Sequence, residues 1–254
     1  MIKELLKKKL AAATKRKIRN FIQDIKAFGR GRDLNKLGRI YGTDKIGEHF
    51  YTPHYMTHLR RFKYKRINLF EIGVGGGPSS YFGANSLRMW KKYFPFGKIF
   101  SLDIHEKSSF QENRIIIFQG NQIDKDFLNK IAAEMGELDI IIDDGSHMNA
   151  HVIETFNILF PKLKDGGIYV IEDTQTSYLE EYGGDSRDLN NPQTTMSYFK
   201  SLTDSLNSQE FVIPDYERNY FAKKIISMHF YHNLIFVYKG NNDEKSNLAV
   251  ISQK

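Results

Sequence analysis

The chain has 254 residues, of which 41% are hydrophobic and 26% charged, as in an ordinary soluble globular protein. This length accommodates one α/β domain with a sizeable core and an appendage. Cysteine is absent, which excludes disulfides and thiolate chemistry, and no segment approaches the roughly 20 apolar residues of a membrane span. No unbroken apolar run follows the basic start, so we expect no signal peptide and a cytoplasmic protein.

The net charge of +7 is concentrated at the N-terminus. Residues 1–32 contain 11 Lys and Arg against 2 Asp and Glu, whereas the remainder contains 26 against 28. The body of the chain is therefore nearly neutral. Because an enzyme acting on nucleic acid is expected to be basic around its crevice, the charge pattern disfavours that class and we expect no nucleic-acid partner.

The N-terminal arm, residues 1–32, has the pattern of an amphipathic helix. Lysines and arginines fill most positions between apolar residues that recur at mostly helical spacings. These apolar residues are Ile2, Leu5, Leu6, Leu10, Ala13, Ile18, Phe21, Ile22, Ile25 and Phe28. We expect the apolar face to pack on the protein's own body or on a second subunit of a homo-oligomer. Contact with an anionic membrane surface is the second interpretation, and nucleic-acid binding the third.

Strands and helices alternate after a polar, aromatic lead-in at residues 33–66. Short apolar strands that alternate with helices predict a mostly parallel sheet covered by helices on both faces. The predicted strands are 67–72, 98–104, 114–119, 139–142 and 168–171, and the predicted helices are 86–93, 125–135 and 151–163. Two further strand-like runs, 224–231 and 234–238, predict a C-terminal antiparallel hairpin that brings the sheet to seven strands.

Residues 174–222 are polar and irregular, within a catalytic domain that we place at residues 67–240. A long segment of this kind in an enzyme is typically a lid, a binding loop or disordered. We expect a substrate lid with a helix near residues 195–207, and a polar tail at residues 241–254.

A glycine-rich loop, Glu71-Ile72-Gly73-Val74-Gly75-Gly76-Gly77, follows the first predicted strand. Glycines there let the backbone turn sharply and approach a ligand closely, although a tight turn without a ligand is the alternative. The acidic Glu71 and the long gap before the next helix depart from the dinucleotide motif G-x-G-x-x-G and are typical of S-adenosylmethionine enzymes. Asp103, at the end of the second strand, is suited to ribose hydroxyls. Asn121-Gln122, after the third strand, suits the adenine edge or a turn.

Carboxylates and a histidine follow the fourth and fifth predicted strands. Asp143, Asp144 and His147 come after one strand, and Glu172-Asp173 after the next. The carboxyl ends of strands in an open α/β sheet lie at the ligand crevice, so we expect these groups to meet. Several carboxylates with a histidine beside them have the composition of an oxygen-ligand metal site with a base. For any one of these acids taken alone, the alternative is that it caps a helix or turn.

Several motifs together resemble one known family. They are Gly-Thr-Asp-Lys (42–45), Tyr-Thr-Pro-His-Tyr (51–55), Glu-Ile-Gly-Val-Gly-Gly (71–76), Ser-Leu-Arg-Met-Trp-Lys (86–91), Ser-Leu-Asp-Ile (101–104), Ile-Ile-Asp-Asp-Gly-Ser-His (141–147), Leu-Phe-Pro (159–161), the run 166–178 and Phe-Tyr-His-Asn-Leu (230–234). They resemble the metal-dependent sugar O-methyltransferases of macrolide tailoring, the mycinamicin and demethylmacrocin type. The resemblance covers about residues 37–240 and fades in the N-terminal arm and the central loop.

The resemblance implies a Rossmann-like class I methyltransferase fold with S-adenosyl-L-methionine and Mg²⁺, or Mn²⁺ in its place, as cofactors. It places the metal ligands on Asp144, Glu172 and Asp173 and the general base on His147. It places the cofactor contacts on Glu71, Ile72, Gly73, Val74, Gly75, Gly76, Gly77, Ser86, Asp103, Asn121 and Gln122. The arm departs from the family's usual, longer N-terminal part, which leaves the subunit architecture open.

The implied reaction is an in-line methyl transfer to a sugar or glycoside hydroxyl, for which a divalent cation would lower the pKa of the hydroxyl and His147 would accept its proton. The composition, rich in Lys, Ile, Asn and Phe, favours a surface-polysaccharide precursor or another glycoside over a macrolide as acceptor. A catechol-type O-methyltransferase and a non-catalytic adenosyl-binding subunit are the alternatives. A zinc pair of His147 and His151 is disfavoured because carboxylates already supply a ligand set.

Overall fold

The computed structural model describes residues 2–31, 33–79 and 82–246, with side chains from residue 13 onward. Contacts between residues divide the chain into two compact units, Met1–Gly120 and Asn121–Lys254. Within the described residues, none of the helices combines the length and the apolar character needed to cross a bilayer.

The first unit contains four helices and three strands. They are α1 (Ile2–Lys26), α2 (Leu34–Tyr41), α3 (Tyr51–Leu59), β1 (Asn68–Ile72), α4 (Asn85–Tyr93), β2 (Lys98–Asp103) and β3 (Ile115–Gln119). The strands lie in the order β3-β2-β1 and all pair in parallel, with Glu71 of β1 opposite Ser101 of β2. The glycine loop and Asp103 therefore follow the carboxyl ends of neighbouring strands.

The lead-in is more regular than its sequence indicates, because α2 and α3 lie within it. The Asp33 side chain caps α2 by accepting a hydrogen bond from the Lys36 N–H (3.0 Å). Gly42 ends the helix in the left-handed conformation at φ 71°. Leu34, Leu37 and Tyr41 are buried, so packing also stabilises this short helix.

The second unit contains four helices and four strands. They are α5 (Lys125–Met135), β4 (Leu138–Asp143), α6 (Asn149–Leu159), β5 (Leu163–Glu172), α7 (Thr195–Leu206), α8 (Tyr220–Lys224), β6 (Ile225–Tyr231) and β7 (Leu234–Lys239). Their order is β4-β5-β7-β6, in which β4 and β5 are parallel and the β6–β7 hairpin is antiparallel. All seven predicted strands are present, β1 to β5 pair in parallel within their own units, and the predicted C-terminal antiparallel hairpin is confirmed.

Most predicted boundaries are correct to within one or two residues, and the main difference lies between α6 and β5. The α-helix ends at Leu159 rather than at residue 163, because Pro161 cannot continue its hydrogen bonding and a 3-10 turn, Phe160–Lys162, follows. Strand β5 starts earlier than predicted, at Leu163. All of β4 and the last six residues of β5 are buried, so the core fixes where both strands end.

Residues 174–222 pack more tightly than a free loop would. Helix α7 confirms the helix expected near residues 195–207, and Phe199 on it is fully buried. The Asn149 amide of α6 donates hydrogen bonds to the carbonyls of Thr176 (3.0 Å) and Tyr182 (2.9 Å) and accepts one from the Thr195 N–H (2.7 Å). Much of the segment is thus tied to α6, and its role as a lid stays a prediction.

The N-terminal arm forms the predicted helix, α1. Five of its apolar side chains are exposed rather than packed on the body of the protein: Ile18, Phe21, Ile22, Ile25 and Phe28. The expectation that this face packs on the protein's own body is therefore wrong for these residues. The side chains of Ile2, Leu5, Leu6 and Leu10 lie outside the described residues.

Candidate functional site

Three side chains with metal-binding atoms converge beyond the ends of β4 and β5. One ligand atom from each of Asp144, His147 and Asp173 lies within 4.8 Å of the other two. His147 Nε2 is 3.7 Å from Asp173 Oδ2 and 4.0 Å from Asp144 Oδ1. The side chains are 26%, 22% and 16% exposed for His147, Asp144 and Asp173, so a ligand from solvent can reach them.

The backbone at two of these residues adopts the left-handed conformation. His147 has φ 58° and Asp173 has φ 54°. Residues other than glycine rarely adopt this region, and such strain persists only where the surrounding structure enforces it. Four other described non-glycine residues, Ala84, Arg114, Asp215 and Asn233, also have positive φ, so the conformation of His147 and Asp173 sets the direction of their side chains and does not by itself mark a function.

The loop that carries Asp144 and His147 is fixed by Gln122. The Gln122 Oε1 atom accepts a hydrogen bond from the Ser146 N–H (2.7 Å), and its Nε2 donates to Thr155 Oγ1 (3.1 Å) and Asp143 Oδ1 (3.4 Å). Both ends of the buried Gln122 amide are thus occupied within the protein. The structure gives this side chain a positioning role that the sequence did not predict, and its contact with a cofactor stays a prediction.

His151 does not belong to the group of converging ligand atoms. Its Nδ1 atom lies 2.9 Å from Ser146 Oγ, at hydrogen-bond distance.

Glu172, the third predicted metal ligand, lies outside the group formed by Asp144, His147 and Asp173. It is the last residue of β5, it is only 4% exposed, and it is paired in register with Leu234 of β7. In the structure as it stands, the third converging group is thus an imidazole and not this carboxylate. The role of Glu172 as a ligand stays a prediction.

Asp143 and Asp144 are adjacent but differ in environment. Asp143 is 2% exposed, and burial raises its pKa to about 7, while hydrogen bonds from the Gly145 N–H and from Gln122 favour its charged form. The buried Tyr169 hydroxyl and Asp143 Oδ2 make no hydrogen bond of regular geometry among the described residues, yet they lie close enough to influence each other's pKa. Asp144 is therefore the member of the pair that faces incoming ligands.

The glycine loop after β1 has a backbone conformation that favours glycine. Gly73, Gly75, Gly76 and Gly77 all have positive φ, from 51° to 98°. At Gly76 a Cβ atom would collide with the carbonyl of Phe82, so only glycine fits there.

Asp103 lies next to the glycine loop, as predicted. Its Oδ2 atom accepts a hydrogen bond from the Val74 N–H (3.1 Å), and its Oδ1 accepts one from the His105 N–H (2.8 Å). The carboxylate remains partly exposed, so it is open to a ligand's hydroxyl groups. Ser86 is also partly exposed, in the first turn of α4, whereas Asn121 is exposed and its Oδ1 accepts a hydrogen bond from the Ile123 N–H (3.2 Å).

Glu71 is fully buried and serves as an internal anchor. Its Oε2 atom accepts a hydrogen bond from Trp90 Nε1 (2.6 Å), and its Oε1 forms an ion pair with Lys45 Nζ at 3.3 Å. Both charged side chains are 0% exposed. The last residue of the Gly-Thr-Asp-Lys motif, Lys45, thus has a structural role as the ion-pair partner of Glu71. Trp90 lies in the core. A direct contact between Glu71 and a cofactor stays a prediction.

Lys107 supports the glycine loop, a role that the sequence did not predict. Its ammonium group donates hydrogen bonds to the carbonyls of Gly75 (3.0 Å), Ser79 (2.6 Å) and Phe82 (3.4 Å). The residue is only 1% exposed, and burial lowers its pKa, while the nearby Asp103 carboxylate acts in the opposite direction. No sequence pattern connects a lysine 30 residues downstream with this loop, and only the fold brings the two together.

A family described as "Methyltransferase domain" matches residues 70–174. The chain is 45% identical over 217 residues to the mycinamicin VI 2''-O-methyltransferase of Micromonospora griseorubida, covering 85% of this chain and 54% of that protein. It is 44% identical to the demethylmacrocin O-methyltransferase of Streptomyces fradiae, covering 84% of this chain and 54% of that protein. The chain thus spans about half the length of the curated relatives it matches.

Solved structures with the same fold carry bound ligands. A structure of the methyltransferase MycE from the mycinamycin biosynthetic pathway, in complex with Mg and SAH, matches with a TM-score of 0.82 and 41% identity, over 87% of this chain and 59% of that chain. A second MycE structure, with Mg, SAH and mycinamycin VI, matches with a TM-score of 0.78 and 43% identity, over 84% of this chain and 56% of that chain. The expected Rossmann-like methyltransferase fold is confirmed.

Proposed function

Because this chain belongs to the same family as the mycinamicin VI 2''-O-methyltransferase and the demethylmacrocin O-methyltransferase, we propose that it is an S-adenosyl-L-methionine- and Mg²⁺-dependent O-methyltransferase. Its acceptor is a hydroxyl group of a sugar or glycoside. The convergence of Asp144, His147 and Asp173 beyond two parallel strands carries the proposal, because it supplies the acids and the base that this chemistry needs.

The donor set fits a hard divalent cation. Asp144 and Asp173 would hold it through carboxylate oxygens, with Glu172 as the proposed third ligand, and such a set favours Mg²⁺ or Mn²⁺. The convergence of ligand atoms within 4.8 Å, on side chains that solvent reaches, supports this assignment. When bound, the ion lowers the pKa of an alcohol hydroxyl and orients its oxygen.

The glycine loop and Asp103 fit an adenosyl cofactor. We propose that residues 71–77, Ser86, Asp103 and Asn121-Gln122 contact it, with the Asp103 carboxylate accepting hydrogen bonds from the ribose hydroxyls. The support is the positive φ of four glycines and the partly exposed carboxylate that already binds the Val74 N–H. When bound, S-adenosyl-L-methionine supplies the methyl group.

His147 is the proposed general base. Its Nε2 atom is held between the carboxylates of Asp173 and Asp144, at 3.7 and 4.0 Å, and it is open to solvent. From there the imidazole would accept the proton of the attacking hydroxyl.

The acceptor and the partner proposals rest on different observations. A sugar or glycoside acceptor follows from the relatives, one of which was solved with mycinamycin VI. We propose residues 174–222 as the part that covers this acceptor, and residues 67–240 as the catalytic domain. Self-association through the N-terminal helix and membrane contact of the same helix both stay untested expectations from the sequence, and so does a cytoplasmic location.

A methyl-transfer assay with radiolabelled S-adenosyl-L-methionine tests the proposed function. The purified 254-residue chain is incubated with nucleotide sugars, glycosides and catechols, with EDTA and after Mg²⁺ is added back. We expect transfer to a sugar hydroxyl that EDTA abolishes and Mg²⁺ restores. Transfer to catechols alone would favour the catechol-type alternative. Cofactor binding without turnover on any acceptor would favour a non-catalytic adenosyl-binding subunit.

A further inference from the structure

Helix α1 contacts its own unit through polar side chains. The Arg16 guanidinium donates hydrogen bonds to Ser109 Oγ (3.2 Å) and to the Ser109 carbonyl (2.7 Å). Gln23 Nε2 donates to the Tyr41 carbonyl (3.1 Å), and Asp24 accepts a hydrogen bond from the Tyr41 hydroxyl (2.9 Å). The face that an amphipathic helix usually presents to solvent is thus the face that is docked.

The apolar face of α1 points away from these contacts. Ile18, Phe21, Ile22 and Ile25, at the i, i+3, i+4, i+7 spacing of one helix face, are 55%, 66%, 44% and 59% exposed. Phe28, just beyond the helix, is 84% exposed and extends the same surface. An exposed apolar stripe of this kind usually marks an interaction site.

The flanks of this stripe are basic. On a helical wheel, Lys15 and Lys26 lie on one side of it and Lys17 lies on the other, together with Asp24. Among the side chains that the structure describes, from residue 13 onward, Asp24 is the only acid on either flank, and it forms an ion pair with Arg88 at 2.8 Å. The surface therefore combines exposed aliphatic and aromatic side chains with uncompensated positive charge.

We infer that the outward face of α1 binds an anionic phospholipid surface. Two copies that pair through the same stripe would need opposite charges on their flanks, whereas here lysines would face lysines. An anionic bilayer complements these lysines, and its interface accepts the Ile and Phe side chains, as in helices that lie in the membrane plane. The contacts of α1 carry this inference, and it is independent of the proposed methyl transfer.

Co-sedimentation of the full chain with vesicles tests the inference. One set of vesicles contains phosphatidylcholine alone, and the other also contains phosphatidylglycerol. We expect binding to the anionic vesicles that weakens as salt rises, and little binding to neutral ones. The inference would be overturned if, at about 50 mM NaCl, the chain co-sedimented with neither kind of vesicle. Equal binding to both kinds would overturn it as well.

Two sets of variants separate the apolar and the charged contributions. Phe21→Ser with Ile25→Ser should reduce vesicle binding at least about tenfold, because it removes two inserting side chains. Its matched control is Val212→Ser with Ile213→Ser, at residues that are 92% and 57% exposed outside α1. Neutralising Lys15, Lys17 and Lys26 to Gln should weaken binding about fivefold per lysine, whereas the same change at the exposed Lys98, Lys125 and Lys130 should not.

Circular dichroism and analytical ultracentrifugation complete the test. The four apolar sites and the six lysines that are substituted are all exposed, so thermal unfolding should match that of the unchanged chain. A concentration-dependent dimer that Phe21→Ser with Ile25→Ser dissociates, without vesicle binding by the unchanged chain, would assign the face to a second copy instead. Vesicle binding that survives this double substitution would also overturn the inference.

Discussion

His147 Nε2 lies 3.7 Å from Asp173 Oδ2, although the two residues follow different strands of the sheet. The pairing arises because β4 and β5 are parallel neighbours, so the loops beyond their carboxyl ends meet. At this distance the imidazole lies directly beside the acidic side chains. A ligand atom of His147 is also one of three that lie within 4.8 Å of one another, together with atoms of Asp144 and Asp173. This position supports the proposal that His147 is the general base.

His147→Ala should lower turnover by roughly 10²–10⁴-fold, the usual contribution of a general base. The affinities for S-adenosylhomocysteine and Mn²⁺, measured by isothermal titration calorimetry, should stay unchanged, because the proposed ligands are carboxylates. His229→Ala, at an exposed position on β6, is the matched control and should keep full activity. Near-normal turnover of the His147 variant would exclude it as the base.

Glu172→Gln should weaken Mn²⁺ binding by at least about tenfold if this carboxylate is a ligand, since loss of even an outer-shell partner has that effect. Glu180→Gln, at a side chain 81% exposed on the following segment, should leave binding unchanged. Titration calorimetry of both variants gives the measurement. Unchanged Mn²⁺ affinity in the Glu172 variant, combined with weakened affinity in His147→Ala, would make the histidine the third ligand.

Substitutions at Asp173 should reveal the cost of its left-handed backbone. At φ 54° an alanine is strained and a glycine is not, so Asp173→Gly should be more stable than Asp173→Ala by about 1 kcal/mol. Chemical denaturation in EDTA measures the difference without any contribution from bound metal. At Glu181, within the 3-10 turn Glu180–Tyr182, the same pair of substitutions should show the opposite order. Equal stabilities at Asp173 would argue against strain.

Lys107→Met should weaken S-adenosylhomocysteine binding by roughly 10- to 100-fold, because the carbonyls of Gly75 in the glycine loop and of Ser79 and Phe82 just beyond it lose a charged hydrogen-bond donor. Turnover at saturating cofactor should change much less, since Lys107 contacts the loop and none of the proposed reacting groups. Lys98→Met removes an exposed lysine at the start of β2 and serves as the control. An unaltered dissociation constant for the Lys107 variant would exclude a positioning role.

Burial differs between consecutive acids in a way that no sequence motif specifies. Asp143 and Glu172 are buried as the last residues of β4 and β5, whereas Asp144 and Asp173, one position later, are partly exposed. Successive side chains on a strand point to opposite faces, so the assignment depends on where each strand ends. The core packing of both strands decides those ends.

The sequence by itself determined the order of strands and helices, the glycine loop and the presence of acids at two strand ends. These features depend on local periodicity and turn chemistry, which a few neighbouring residues encode. Only the tertiary structure decided that Glu172 lies outside the group of Asp144, His147 and Asp173, that Lys107 braces the glycine loop, and that α1 turns its apolar face outward. Each of these depends on contacts between segments distant along the chain, and such contacts are set by packing and backbone direction rather than by local sequence.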